Sequence, residues 1–155
     1  MKKIQTLCFL RNNGKILLGM KKRGFGVGRW NGFGGKLQVD ETIEEAAKRE
    51  TQEESGIEIQ VLEKFGIVNF TFQGKEDMLE VHFFEIKKYS GEAQETEEMK
   101  PQWFVYSEIP LELMWPDDKF WMPLFLEGKK FQGEFHFDEE ENAILKNKLE
   151  IMENL

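Results

Sequence analysis

Short apolar runs at Ile4 to Leu10 and Ile16 to Met20 flank Asn12-Asn13-Gly14, which has the tight-turn chemistry of a β-hairpin, so the chain is expected to open on two paired strands. Ile57 to Phe72 and Met78 to Tyr89 are rich in β-branched and aromatic residues. The polar run Gln73-Gly74-Lys75-Glu76-Asp77 joins them, and two long paired strands are predicted. Gly91 to Lys100 is acidic and without apolar periodicity, which reads as a loop before a short strand at Trp103 to Tyr106 and an irregular stretch from Pro110. Asp117 to Leu126 has a helical pattern. Phe131 to Phe137 alternates aromatic with polar or small residues and predicts a half-buried strand. Glu139 to Met152 places Ile144, Leu145, Leu149 and Met152 on one side of a predicted amphipathic terminal helix. Strands and helices in this irregular order predict an α/β fold with a mixed sheet and helices on both sides.

The central helix is encoded at both ends. Thr42, with Glu45 three residues later, forms a capping-box pattern, and Gly56 can adopt the left-handed conformation that stops a helix. Between them Ile43, Ala46 and Ala47 form an apolar stripe, and Glu50, Glu53 and Glu54 fall on or beside it. Glu44, Glu45, Lys48 and Gln52 make the solvated face. Carboxylates packed together on an inward face repel one another and resist desolvation, a conflict that a bound cation removes. Hard oxygen ligands at i, i+3 and i+4 suit Mg²⁺, or Mn²⁺ in its place, with further ligands from a substrate's phosphates. Ahead of this helix, Arg23 to Gly35 carries six glycines, too many for regular structure, so the backbone there bends sharply or approaches a ligand closely. The plain alternative is a glutamate-rich surface helix after a flexible loop.

A formal net charge of −8 argues against binding to a nucleic-acid polymer or an anionic membrane, which need basic surface, but leaves free nucleotides possible. Local positive charge comes from Lys21-Lys22-Arg23 and Lys36 at the two ends of the glycine loop. Cys8 is the only cysteine, so no intramolecular disulfide or thiolate zinc cluster is possible. His82 and His136 lack a helical i, i+4 partner and read as sheet residues, which leaves carboxylates as the metal chemistry. With 155 residues, no signal-peptide pattern and no long apolar run, the expectation is one soluble cytoplasmic domain over residues 1–155 that acts as a monomer.

Gly35, five residues, Glu41, seven residues, Arg49-Glu50, two residues, Glu53-Glu54, one residue and Gly56-Ile57 resemble the Nudix box, here residues 35–57. That family hydrolyses nucleoside diphosphates linked to another group, and the resemblance implies its α/β/α sandwich. It also implies metal held by Glu50, Glu53 and Glu54, with the Gly34 carbonyl and Glu98 as further ligands. Glu53 is the candidate base, with Glu54 or Glu98 as alternatives, and Arg49 would orient Glu53. The chain departs from the pattern at Thr51, where an aliphatic residue is usual. Helical geometry puts Thr51 at the margin of the stripe.

Trp115-Pro116-Asp117-Asp118 is the most informative run outside the box. A loop tryptophan can stack on a base while neighbouring carboxyls read its edge, and two carboxyls in one dry pocket cannot both ionise easily. The plain alternative is a helix start in which an aspartate caps and Trp115 anchors the loop. Together with Gly19 to Gly26 and Gly28 to Lys36, this run is similar to the MutT-homologue branch of the family, which hydrolyses oxidised purine nucleoside triphosphates. By that resemblance Thr6, Lys21, Phe25, Asn31, Phe70, Trp115, Pro116, Asp117 and Asp118 surround the purine, and Phe33, Gly34, Gly35 and Lys36 lie by the sugar and phosphates. Phe25 and Phe70 also fit as ordinary core aromatics. Rival readings are a Nudix pyrophosphatase acting on a dinucleotide or nucleotide sugar, and a non-catalytic nucleotide-binding module.

Overall fold

Asn13 and Gly14 both take positive φ, 52° and 74°, as a two-residue hairpin turn requires, and return β1 (Lys2–Asn12) into β2 (Lys15–Lys21). The computed structural model describes all residues, Met1–Leu155. The hairpin is paired only near its turn, from Leu10 opposite Leu17 to Asn12 opposite Lys15. Beyond it β1 runs parallel to β5 (Met78–Ser90) and β2 runs antiparallel to β6 (Met99–Val105). The glycine loop fills the resulting splay. Cys8 and Phe33 exchange backbone hydrogen bonds of 2.6 and 2.9 Å, and the Thr6 N–H donates to the Gly35 carbonyl at 2.9 Å. The short β3 (Trp30–Asn31) pairs with β2.

The sheet runs β3-β2-β1-β5-β4-β7-β8, with β4 at Glu58–Phe72, β7 at Lys130–Phe137 and β8 at Ile144–Met152, while β6 branches from β2. β1 with β5 and β4 with β7 are parallel and the other pairs antiparallel, so the sheet is mixed as expected. Helices α1 (Ile43–Ser55) and α2 (Asp118–Leu126) bury their apolar sides in two separate cores. The larger core packs Trp121, Met122 and Phe125 of α2 on Phe9, Phe65, Phe83 and Phe131. The smaller packs Ala47 of α1 on Cys8, Leu17, Phe33 and Phe84. This is the expected α/β/α sandwich. No helix is long and apolar enough to cross a membrane.

Two sequence expectations are corrected. Residues Glu139–Met152 do not form a helix: Asp138 Oδ1 accepts from the N–H groups of Asn142 and Ala143, Glu141 takes φ 63°, and the chain returns as β8 along β7. β7 would otherwise present an open edge, and pairing satisfies its backbone groups. Gly133 supplies the room, since a Cβ there would lie 3.0 Å from Leu149 Cδ1 and clash with the Lys148 carbonyl. The second correction is small: β6 begins at Met99, not Trp103.

Candidate active site

The helix following the glycine loop sets the geometry. Thr42 and Glu45 form the full capping box, and Gly56, at φ 81°, ends the helix with its N–H on the Gln52 carbonyl. At about 100° per residue, Glu54 lies roughly 20° from Ala47 around the helix, Glu50 roughly 60° and Glu53 roughly 120°. Exposure follows that order, with side chains 6%, 20% and 56% accessible. Glu53 therefore does not face inward as the sequence suggested, and stands at the rim. Thr51, roughly 40° from Ala47, is fully buried rather than marginal.

Glu54 reaches the loop directly, its Oε1 accepting the Gly34 N–H at 2.9 Å. A Cβ on Gly34 would lie 1.9 Å from the Thr6 carbonyl oxygen, and one on Gly35 would lie 2.7 Å from the Glu50 carboxyl carbon. Loop, strand and helix meet here with no room for a side chain. Gly34→Ala is accordingly expected to cost about 3 kcal/mol or more, because the obstruction is backbone that cannot rotate away. Chemical denaturation would read the loss, and wild-type stability would contradict the contact.

Cations already thread the carboxylates. Arg49 donates to Glu41 at 2.7 and 3.0 Å and to Glu50 at 2.8 Å, and approaches Glu53 at 3.3 Å. Lys21 Nζ stands 3.9 Å from Glu54 and 3.6 Å from Glu98, and Arg23 donates twice to Glu98. Burial pushes the Glu54 carboxyl up to about 7; the Gly34 N–H and Lys21 oppose the rise, and Glu50 and Glu98 add to it. Arg23 draws Glu98 below the ordinary range. No three carboxylates converge on one point as the side chains stand. Even so, the donors on this rim are all oxygens, and the buried Glu54 has only a distant ammonium to neutralise it. The set fits a hard divalent cation in its chemistry.

On the other side of the glycine loop is a cavity. Thr6, Lys21, Phe25, Asn31, Gly34, Gly35, Lys36, Glu54, Phe70, Trp115, Asp117 and Asp118 all line it, so the structure brings together most of the predicted set. The Asn31 side-chain oxygen accepts the Gly32 N–H at 2.9 Å, which leaves its two Nδ2 donors for a ligand. Thr6 Oγ1 accepts from the Gly35 N–H at 3.3 Å. Phe70 is both wall and core, stacked on Phe135 and Phe137.

The aspartates do not cap the helix. Asp117, at the N-cap of α2, makes no side-chain cap bond; its Oδ2 accepts the Trp121 Nε1–H at 2.8 Å. Both carboxyls are almost wholly buried, and Asp118 Oδ2 has no hydrogen-bond partner. Burial first, then the neighbouring Asp117 charge, holds Asp118 well above the usual carboxylate range. Burial raises Asp117 too; the Trp121 N–H and the nearby Arg29 oppose the rise in both carboxyls, and the Trp121 hydrogen bond falls on Asp117 Oδ2. Asp117 is therefore the acceptor and Asp118 the proton carrier, a donor beside an acceptor in a dry wall.

Some predicted residues lie elsewhere. The Phe33 side chain is fully buried in the core beneath α1, and Phe33 is outside the cavity lining. Pro116 is outside the cavity lining, and so are Glu50, Glu53 and Glu98, which belong to the carboxylate rim. Trp115 is half-buried, not fully exposed, with Phe25 5.0 Å away and Phe137 edge-on at 5.9 Å. Sequence reasoning passed over Trp121 and Arg29. Trp121 carried a legible signal, sitting four residues after Asp117 on the same helix face. Arg29 carried none, because its partners are remote in the chain.

Residues 1–125 match the NUDIX domain model. The chain is 48% identical over 153 residues to the oxidized purine nucleoside triphosphate hydrolase of Danio rerio, covering 99% of this chain and 97% of that protein. It is also 48% identical over 142 residues to the Mus musculus protein of the same name, covering 92% and 91%. Among solved structures, a mutator MutT protein from Bacillus halodurans superposes with a TM-score of 0.84 at 29% identity, over 96% of this chain and 97% of that one. A MutT protein from Methanosarcina mazei Go1 gives 0.67 at 26% identity, over 83% and 96%. On the domain match over residues 1–125 and these full-length relatives, this chain belongs to the Nudix hydrolase family.

Proposed function

We propose that this protein hydrolyses oxidised purine (deoxy)nucleoside triphosphates of the 8-oxo-dGTP and 2-oxo-dATP type to the monophosphate and pyrophosphate, clearing mutagenic precursors from the nucleotide pool. The observation that carries the reading is the buried Asp117–Asp118 pair, split into acceptor and donor by Trp121, in the cavity that also borders Gly34 and Glu54. Oxidation at a purine's ring positions changes which edge atoms donate and which accept, and a donor beside an acceptor matches such an edge. The names of the zebrafish and mouse relatives support the same substrate class.

Nudix hydrolases generally use divalent metal ions, and Mg²⁺, with Mn²⁺ as a substitute, suits the oxygen donors here. Glu50, Glu53, Glu54, Glu98 and the Gly34 carbonyl would hold it. When bound, such an ion acidifies a water and offsets charge on phosphate oxygens. Glu53, exposed at the rim, takes the proton of the attacking water as the new P–O bond forms and pyrophosphate leaves. Arg49 positions Glu53 and Glu50. Lys21 and Lys36 supply positive charge along the triphosphate. Trp115 offers a stacking face, and Asn31, Asp117 and Asp118 read the base. The domain acts as a monomer on free nucleotides in the cytoplasm.

A substrate panel tests the reading. With Mg²⁺, kcat/KM should be highest for an oxidised purine triphosphate, exceeding the unmodified parent by about tenfold or more, the worth of one or two well-placed hydrogen bonds. Preference for a dinucleotide or nucleotide sugar would overturn the substrate, and no turnover of any nucleotide would overturn the enzyme.

A further inference from the structure

Arg29 joins the glycine loop to the last hairpin of the fold. Its guanidinium lies over the Trp115 ring, 4.1 Å from the centroid. Nη2 donates to the Glu141 carbonyl at 2.9 Å and to Asn142 Oδ1 at 3.1 Å, in the turn between β7 and β8. The contacts continue around the cavity mouth. Glu141 Oε1 pairs with Lys75 at 3.1 Å, Lys75 stands over Phe72 at 5.5 Å, Phe72 meets Phe25 edge-on at 6.3 Å, and Phe25 returns to Trp115. Six residues from the glycine loop, the end of β4, the β4–β5 connection, the β7–β8 turn and the segment before α2 close a ring. Arg29 ties Trp115 directly to the β7–β8 turn, while Phe137 of β7 meets the indole edge-on. An indole has two faces and the guanidinium takes one, so a base can use only the other.

We propose that Arg29 is a positioning residue for base recognition, clamping Trp115 from behind through the β7–β8 turn so that a single indole face is presented to the purine. The role rests on the function proposed above. A planar guanidinium suits it, because it stacks through its face while Nη2 on its edge donates both bonds to the turn. The terminal hairpin, remote from the carboxylate rim, thereby bears on substrate affinity.

The test uses the full chain and 8-oxo-dGTP with Mg²⁺. Arg29→Met should raise KM about tenfold while kcat changes less than about twofold, as expected for a lost, partly desolvated cation–π contact that acts on binding alone. Arg29→Lys, which keeps charge but not the plane, should raise KM about threefold. In a double-mutant cycle, Arg29→Met should add little on top of Trp115→Ala, since the clamp has nothing left to hold. Additive effects of the two substitutions would overturn the proposal, as would an unchanged KM in folded Arg29→Met. Should Arg29→Met fail to fold, an unchanged KM in Arg29→Lys overturns it instead. A wild-type protein that turns over no purine nucleotide sinks the functional reading and this proposal together, whereas normal wild-type turnover with an indifferent Arg29 sinks this proposal alone.

Discussion

Glu54→Gln is expected to lower kcat by about 100-fold or more while the protein stays folded, the range for losing a metal-binding or proton-transferring carboxylate. The amide keeps the shape and an oxygen to accept the Gly34 N–H, so the loop contact at 2.9 Å survives. What disappears is the negative charge in a pocket where burial already holds the carboxyl up at about 7. Glu53→Gln should lose turnover on a similar scale for a different reason. Its side chain is more than half exposed and pairs with Arg49, so the substitution removes a proton acceptor without disturbing packing. Steady-state kinetics at saturating Mg²⁺, with thermal unfolding alongside, reads both effects. Near-normal kcat in either variant would take that glutamate out of the mechanism.

Asp117→Asn and Trp115→Ala should each raise KM for 8-oxo-dGTP by about tenfold or more and leave the apparent affinity for Mg²⁺ unchanged, because a lost charge-assisted hydrogen bond or stacking face costs roughly 1.5–3 kcal/mol at the base alone. If both variants cleave the nucleotide with wild-type KM, the base is read elsewhere. The neighbouring carboxyl adds a pH dependence. Asp118 in the fold keeps its proton well above the ordinary value of 3.8, so between that value and the raised one the folded chain binds more protons than the unfolded chain. Its contribution to stability is therefore complete at acid pH and declines as pH rises through the raised value. The same rise removes the donor that faces the base. Tm should fall across the interval from the ordinary value up to the raised one, kcat/KM should fall as the raised value is passed, and Asp118→Asn, which cannot ionise, should flatten the fall in Tm. A Tm that rises across that range in the wild type would contradict a protonated Asp118.

Several parts of the site were legible because they are local. The capping box at Thr42 and Glu45, the stop at Gly56 and the hairpin at Asn13-Gly14 depend on residues within a turn or two of one another, and they form as read. The inward placement of Glu54 follows from helical spacing to Ala47. The stripe was drawn too wide at Glu53, since the same spacing puts that residue roughly 120° from Ala47, toward the exposed face. The final segment misled for a different reason. Ile144, Leu145, Leu149 and Met152 suit a helix taken alone, but the open edge of β7 and the space over Gly133 are properties of distant residues.

By itself, then, the sequence determined the loop, the helix and the oxygen-only donor set, which rest on short-range geometry or residue chemistry, and through its resemblance to a family most of the residues that meet in the cavity. Only the tertiary structure decided two things: that Trp121 makes Asp117 the acceptor of its pair, and that Arg29 ties Trp115 to the terminal hairpin. Burial and long-range contact set these, since a carboxyl's charge and an indole's free face depend on what the rest of the chain packs against them.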